Sequence, residues 1–353
     1  RLPALRPRDQ ALPDLWAAIY PLVVAEEHGS GRRLLVGRVP LECLHAVADE
    51  LARLSVASAE GLPPLRVGPP RSTFDQQAYE AAVERARGHI RDGDIYQVNL
   101  SQRFRFEGAV DPRSLHAALR RASPVPYGAC LRTPGFALVS GSPERFLARR
   151  GDALSSWPIK GTRPRGRGPV EDARLRAELE ASPKEAAELA MIVDLVRNDL
   201  GRSAAVGSVR VAQPFDTEVW STVFHRVARV TATLEAGRRS LSAVRAAWPP
   251  ASVTGTPKIS ACSLIERLEP VRRHAYTGAL GWFDAAGDFD LSVLIRIATC
   301  TQGRVDVPVG GGITLASDPR AEWFETLDKA RAAFAALGVA LPGSLSAHAP
   351  GGG

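Results

Sequence analysis

Lysine is nearly missing from this chain of 353 residues. Lysine and arginine together number 45, yet only Lys160, Lys184, Lys258 and Lys329 are lysines. Arginine serves on most surfaces, but it cannot replace a compact ammonium or a deprotonable amine. Any one lysine could be an ordinary surface residue; four that fall inside recognisable motifs would not be. Other shortages exclude whole classes. The four cysteines, Cys43, Cys130, Cys262 and Cys300, lie far apart and form no metal or redox pair. They read as reduced thiols of a cytoplasmic protein. Aromatic residues make up 6% of the chain and do not interleave with the arginines. Stacking platforms for nucleic acid are therefore lacking. No apolar run approaches the roughly 20 residues of a membrane helix, and no signal peptide opens the chain. It begins at Arg1 without a methionine, which reads as a fragment or a processed chain.

What is present suits a globular protein. Hydrophobic residues are 45% and charged residues 24%, enough to bury a sizeable core. The formal charge of +7 and a pI near 9.6 suit an anionic partner, either nucleic acid or a small carboxylate. The stretches "AAIYPLVVAEE" and "RRLLVGRV" predict a hairpin, followed by a helix near "LECLHAVADELARL". "GLPPLRVGPPRST" is a Pro/Gly linker, and a helix should start after Ser72 or Thr73 and run to about Arg91. Downstream, strands come as adjacent hairpins rather than alternating evenly with helices. That pattern predicts an α+β architecture, antiparallel sheets with helices outside. The expected division is an N-terminal segment over 1–70, one catalytic domain over 71–340 and a disordered tail over 341–353.

Several residues could carry chemistry. Glu185 and Glu188 lie at i,i+3 in "SPKEAAELAMIVDLVRND" and share a face with Ile192 and with Leu195 or Val196. Glu322 and Glu325 repeat the spacing in "DPRAEWFETLDKA", with Lys329 four residues after Glu325. Each pair alone reads as an ordinary helix surface or first turn. Two pairs facing one another would make an oxygen-rich cage suited to Mg²⁺ rather than zinc. Gly310, Gly311 and Gly312 could be a turn, or could expose backbone N–H groups to an anion. "SVTGTPKIS" lacks the spacing of a nucleotide P-loop. Arg296, amid Val, Leu and Ile of an expected central strand, wants a bidentate carboxylate. His225 reads as a core histidine and Glu144 as a surface carboxylate unless a site claims them.

Seven stretches in one order then carry a resemblance. They are "DIYQVNLSQRF", "SGSPERFL", "PIKGTRPRG", "ELAMIVDLVRNDLGR", "SVTGTPK", "GALGWFDAAGDFDLSVLIR" and "VGGGITLASDPRAEWFETLDKA". Together they resemble the chorismate-binding enzymes, which include the first components of anthranilate and aminodeoxychorismate synthases, isochorismate synthase and salicylate synthase. The resemblance runs from residue 74 to 337, roughly three quarters of the chain. It implies two antiparallel sheets packed as a sandwich with helices outside. It also implies that Glu188 and Glu325 hold Mg²⁺, with Glu185 and Glu322 reaching the ion directly or through water. Gly310, Gly311 and Gly312 resemble the cradle for the ring carboxylate, with Lys329 nearby. Arg296, with Trp282 beside it, would hold the enolpyruvyl carboxylate, while Gly161 and Thr162 line the ring. His225 resembles the base near C1, and Glu144 the acid that protonates the leaving C4 hydroxyl.

Two positions point within the family. Anthranilate synthases resemble one another in "PIAGTR"; here the residue before Gly-Thr is Lys160. That lysine resembles the nucleophile of aminodeoxychorismate synthase, which attacks C2 of chorismate. Relatives that add water at C2 carry a lysine base where this chain has Gln97, which disfavours isochorismate and salicylate synthesis. The expected activity is amination of chorismate to 4-amino-4-deoxychorismate, towards p-aminobenzoate and folate. Ammonia would come from a separate glutamine amidotransferase subunit. The rival readings are anthranilate synthase component I and a non-catalytic, basic nucleic-acid-binding protein. No membrane and no nucleic-acid partner is expected.

Overall fold

The structure is a computed structural model that describes residues 4–53 and 61–342. The chain divides into two compact units, residues 13–63 and the remainder. The smaller unit holds β1 (Leu22–Glu27), β2 (Arg32–Gly37) and α1 (Leu41–Arg53). Its two strands pair antiparallel across a turn in which Gly31 adopts a φ of 69°. The expected hairpin and helix are both there.

The larger unit begins with β3 (Arg71–Ser72), α2 (Gln76–Arg91), β4 (Gln97–Glu107), α3 (Pro112–Ala122), β5 (Tyr127–Arg132) and β6 (Ala137–Ser142). The start of α2 is set by Asp75, whose side chain accepts from the Ala78 N–H, rather than by Ser72 or Thr73. β7 (Arg145–Arg150), β8 (Ala153–Trp157) and β9 (Ile159–Pro164) follow. Next come α4 (Pro169–Ala181), α5 (Pro183–Gly201), β10 (Arg210–Val219), β11 (Val223–Thr233) and α6 (Ser240–Ala247). A 3₁₀ turn at Ala251–Val253 leads to β12 (Gly255–Thr256) and α7 (Lys258–Leu268). The unit ends in β13 (Ala279–Phe283), β14 (Phe289–Val293), β15 (Ile297–Thr301), β16 (Arg304–Ile313) and α8 (Pro319–Leu337). α5 and α8 open alike: Ser182 and Asp318 cap the first turn and proline sits just inside it.

Two antiparallel sheets of seven strands result, as expected for an α+β sandwich. The first runs β12-β4-β16-β15-β6-β5, with β3 on β4; the second runs β10-β11-β8-β7-β14-β13, with β9 on β11. Each sheet buries its outer face under helices. Val98, Leu100 and Phe104 of β4 pack with Tyr79 of α2 and Phe334 of α8 in one core. Leu147, Leu154 and Val230 pack with Leu189 and Ile192 of α5 in the other. A small cluster of Leu138, Tyr276, Leu294 and Ile297 joins the sheets where the chain passes between them.

The structure decides one open alternative and redraws one boundary. "GRVDVPVGGGITL" is one strand, β16, paired along its length with β4; Gly310, Gly311 and Gly312 lie opposite Ser101, Leu100 and Asn99. They therefore form strand and not a turn. The segment expected over 1–70 is not one body, because residues up to 12 belong to the larger unit. Asp9 bridges Arg103, Arg105 and His274, and Gln10 donates to Asp306 at 2.8 Å. Of the tail expected over 341–353, residues from 343 lie outside those described.

Asp306 is fully buried and meets Arg105 at 2.9 Å, Arg304 at 3.2 Å and Arg103 at 3.6 Å. Removing one member of such a buried network leaves charge without a partner, at a cost of about 3–5 kcal/mol. Asp306→Ala should lower the urea unfolding midpoint accordingly; an unchanged midpoint would show that the cluster holds nothing.

Candidate active site

Two of the chain's crossings between the sheets are made by links of only two or three residues, and each of these carries a charged residue. β6 belongs to the first sheet and β7 to the second, and Pro143-Glu144 is the link. β14 belongs to the second and β15 to the first, and Leu294, Ile295 and Arg296 are the link. The crossings lie side by side: Val293 N–H donates to Glu144 O at 3.0 Å and Gly141 N–H to Arg296 O at 2.9 Å. Arg296 is thus not a central-strand residue, as expected from its apolar neighbours, but a linker with a left-handed φ of 52°. A non-glycine residue held in that region is strained and marks a constraint. Its guanidinium makes no hydrogen bond or ion pair with the described residues. Tyr276 faces it; burial holds that phenol well above its ordinary pKa, and burial also draws Arg296 down.

Glu144 is 4% exposed. Ser252 donates to Oε1 and the Ile159 N–H also donates to the carboxylate. Burial outweighs these bonds and the nearby Lys160, pushing Glu144 up to about 7. It therefore holds its proton over part of the neutral range. On the facing strands, Thr162 and His225 are in register, and Thr162 Oγ1 lies 2.9 Å from His225 Nδ1. Burial, reinforced by Arg296, pulls His225 down to about 4 against a backbone hydrogen bond to Gly161. The imidazole is neutral near pH 7.

Lys160 stands on β9 between these groups. It makes no hydrogen bond or ion pair with the described residues, unlike Lys258, which is bound by Asp199, Ala247 O and Pro249 O. Burial, with Lys329, lowers the Lys160 pKa against the pull of Glu188, Glu144 and Glu325. Gly161 follows with a φ of 87°; a Cβ there would lie 2.9 Å from Leu179 Cδ1 and 3.0 Å from Glu185 Oε2. The glycine lets α4 and α5 close on the lysine strand.

The glycine strand is the floor opposite. A Cβ on Gly312 would sit 2.6 Å from Gln97 Nε2 and 3.2 Å from Lys160 Nζ, and one on Gly311 would sit 2.9 Å from Glu322 Oε2. Three successive residues without side chains keep this space open. Lys329 Nζ donates to Gly310 O at 2.8 Å and pairs with Glu325 at 2.7 Å. Behind the floor, Glu269 accepts from Ser101 N and Oγ at 2.8 Å, and Arg273 grips Glu269 and Asn99 O.

The four expected carboxylates come from two helices towards this floor. Glu322 is 3% exposed; Ser317 donates to Oε1 at 2.7 Å, while Oε2 is buried with no hydrogen-bond partner. Burial and Glu325 push Glu322 up to about 7. Burial also raises Glu188, whereas Lys329 holds Glu325 down in spite of burial. Glu185 meets Arg163 at 3.4 Å. Among the described residues no three such side chains converge closely enough to hold a metal ion. Yet hard oxygen donors, one of them buried without a partner, are the donor set a magnesium ion takes. The residues fit the ion in kind without forming a closed cage.

Trp282 is the exception among the expected residues. It lies on edge strand β13, is 46% exposed and stacks under Arg150 at 4.7 Å. Its strand partner is Asp290, three positions before Val293, so it is not beside Arg296. Residues missed from the sequence are Tyr276 and Ser252. Thr277, in "HAYTGA", has a φ of 62°, but a non-glycine left-handed residue has no signature of its own. Ser252 belongs to a motif that reads as a phosphate-loop fragment. Two of the three arginines of "GTRPRGRG" are engaged by carboxylates: Arg163 is bound to Glu178 and Glu185, and Arg165 to Asp172 at 2.7 Å.

An α+β sandwich with a polar site between its sheets, built on a lysine, buried carboxylates and a glycine floor, defines a class of enzyme that acts on a small anion. Residues 1–335 match the family described as chorismate binding enzyme, and the chain belongs to that family. It is 45% identical over 267 residues to aminodeoxychorismate synthase of Streptomyces pristinaespiralis, covering 75% of this chain and 37% of that protein. It is 40% identical over 348 residues to anthranilate synthase component 1 of Thermus thermophilus, covering 97% of this chain and 75% of that one. The crystal structure of anthranilate synthase component I from Streptococcus pneumoniae superposes with a TM-score of 0.79 at 30% identity, over 89% of this chain and 72% of that one. The chain thus spans little more than a third of the first relative and about three quarters of the others. It is a chorismate-utilising enzyme of the anthranilate and aminodeoxychorismate synthase type. Among the described residues no helix is long and apolar enough to cross a membrane.

Gly312→Ala should leave folding intact and reduce chorismate binding at least tenfold by calorimetry, since its methyl group would meet Gln97 and Lys160; unchanged affinity would remove the floor from the site. Glu322 has a pKa raised above its unfolded value of 4.5. A carboxylate of that kind loses stability for the fold as pH rises from the unfolded value through about 7. Glu322→Gln should therefore melt higher than the parent at pH 8 without metal, and Mg²⁺ should raise the parent's melting temperature but not the variant's. Equal response of both to Mg²⁺ would remove Glu322 from the metal set.

Proposed function

We propose that this protein aminates chorismate at C4 to give 4-amino-4-deoxychorismate, with Lys160 as the nucleophile. The observation that carries this reading is a half-buried amine facing Gly312 with a lowered pKa and no hydrogen-bond or ion-pair partner among the described residues. A lysine is a nucleophile only when neutral. Lys160 Nζ attacks C2 of the substrate ring. The double bonds shift and the C4–O bond breaks, with Glu144 giving its proton so that water leaves. Ammonia then attacks C4, the double bonds shift back, and the C2–N bond breaks to release Lys160 as an amine. Arg296 and Tyr276 hold one substrate carboxylate, and Gly310, Gly311 and Gly312 with Lys329 take the ring carboxylate. Neutral His225, oriented by Thr162, lies on the ring side. A magnesium ion held by Glu188 and Glu325, with Glu185 and Glu322 in support, would neutralise the ring carboxylate. Ammonia is supplied by a glutamine amidotransferase subunit in this reading, and the product leads towards p-aminobenzoate and folate.

A second reading is anthranilate synthase component I, favoured by the likeness to the Thermus thermophilus protein over nearly the whole chain. It makes no use of a lysine at position 160.

Incubation with chorismate, ammonium and Mg²⁺ should yield 4-amino-4-deoxychorismate by mass and retention time. Anthranilate fluorescence would establish the second reading instead. Lys160→Ala should lose the covalent adduct seen in intact mass and reduce amination by about three orders of magnitude; undiminished turnover would defeat the nucleophile. The rate needs neutral Lys160 and protonated Glu144. It should rise with pH as Lys160 loses its proton and fall as pH passes about 7, where Glu144 loses its own. Glu144→Gln should lack the falling limb and most of the rate.

A further inference from the structure

Arg145 follows Glu144 directly and is restrained by both an ion pair and aromatic rings. Nε and Nη2 donate to the two carboxylate oxygens of Asp290 at 3.0 and 2.9 Å. Its guanidinium lies 3.9 Å above the ring of Trp157 and 5.6 Å from that of Tyr127. The other face of the arrangement is closed by Arg229, 4.6 Å from the Trp157 ring and tied to Glu218 at 3.3 Å. A bidentate, stacked guanidinium is fixed in position and orientation to a degree a lysine cannot match.

What it fixes is the relation between the two reacting side chains. Arg145 and Trp157 are register partners on β7 and β8. Trp157 stands three residues before Lys160, where the chain bends through Pro158 from β8 into β9. Tyr127 begins β5 opposite Ser142, the last residue of β6 before the crossing to Glu144. The stack therefore ties the crossing that carries Glu144 to the bend that carries Lys160. The Ile159 N–H donated to Glu144 closes the same circuit from the other side.

We propose that Arg145, held by Asp290 and Trp157, is a positioning residue that sets the Glu144 carboxyl against the Lys160 amine. Arg145 touches no substrate; it acts through the backbone on both sides. The inference rests on the roles given to Glu144 and Lys160 above. A misplacement near 1 Å in such a pair costs on the order of 10²-fold in rate.

Arg145→Lys keeps the charge and loses the fork and the stack. It should lower kcat by roughly 10- to 100-fold while KM for chorismate stays within about twofold, since the anion-binding residues are elsewhere. The falling limb of the pH profile should move, because Glu144 would sit differently against Lys160, Ser252 and Asp199, the groups that share its surroundings. Trp157→Phe keeps a ring face and should recover most of the rate that Trp157→Ala loses. If Arg145→Lys only lowers the melting temperature, with kcat and the pH limb unchanged, the residue is structural and the proposal is overturned. Should the parent protein show no amination, the function falls, and a second readout still decides the clamp. Citraconic anhydride labelling of Lys160, followed by peptide mass against pH, should shift its midpoint in Arg145→Lys; an unmoved midpoint overturns the proposal by itself.

Discussion

Taking an ammonium out of water is costly, and an ammonium that finds no fixed partner gives up its proton. Around Lys160 the structure lowers the pKa by burial and supplies no hydrogen-bonded partner among the described residues. Carboxylates lie near enough to matter but bind elsewhere: Glu144 is held by Ser252 and the Ile159 N–H, and Glu325 by Lys329. The glycine floor removes side chains that could reach the amine from the opposite sheet. Had any carboxylate paired with Lys160 as Asp199 pairs with Lys258, the amine would stay charged and inert.

Two crossings between the sheets do the remaining work. A sandwich normally shields its inner faces with apolar side chains. Here two crossings carry Glu144 and Arg296, and a small cluster of Leu138, Tyr276, Leu294 and Ile297 packs beside them. Each sheet draws its stability from helices on its outer face, through separate cores. The inner faces are thereby free to be polar. The left-handed backbone of Arg296 and the raised pKa of Glu144 and Glu322 are costs that those outer cores offset.

The motifs were legible because the chemistry leaves few choices. A cation written as lysine in a chain of arginines, glutamates at i,i+3 on two helices and three glycines in a row each limit what can stand there. Helix starts were legible where proline and a cap coincide, as at Ser182-Pro183 and Asp318-Pro319. Gly310, Gly311 and Gly312 were ambiguous because glycine serves equally in a turn and in a strand approached closely by another chain segment. Trp282 beside Arg296 was implied by the resemblance alone, and the strand that carries it, β13, lies at the edge of its sheet.

By itself the sequence determined the element types, the antiparallel character of the sheets and the identity of most residues that carry charge into the site. Local propensity, capping and motif order are properties of adjacent residues, so one chain is enough to read them. Only the tertiary structure decided that Arg296 and Glu144 stand on neighbouring crossings, that Ser252 bonds Glu144, and that Arg145 beside Glu144 stacks on Trp157. Those relations join residues far apart in the chain. They depend on which sheet each strand enters, a choice made by the packing of the whole and not by any stretch of it.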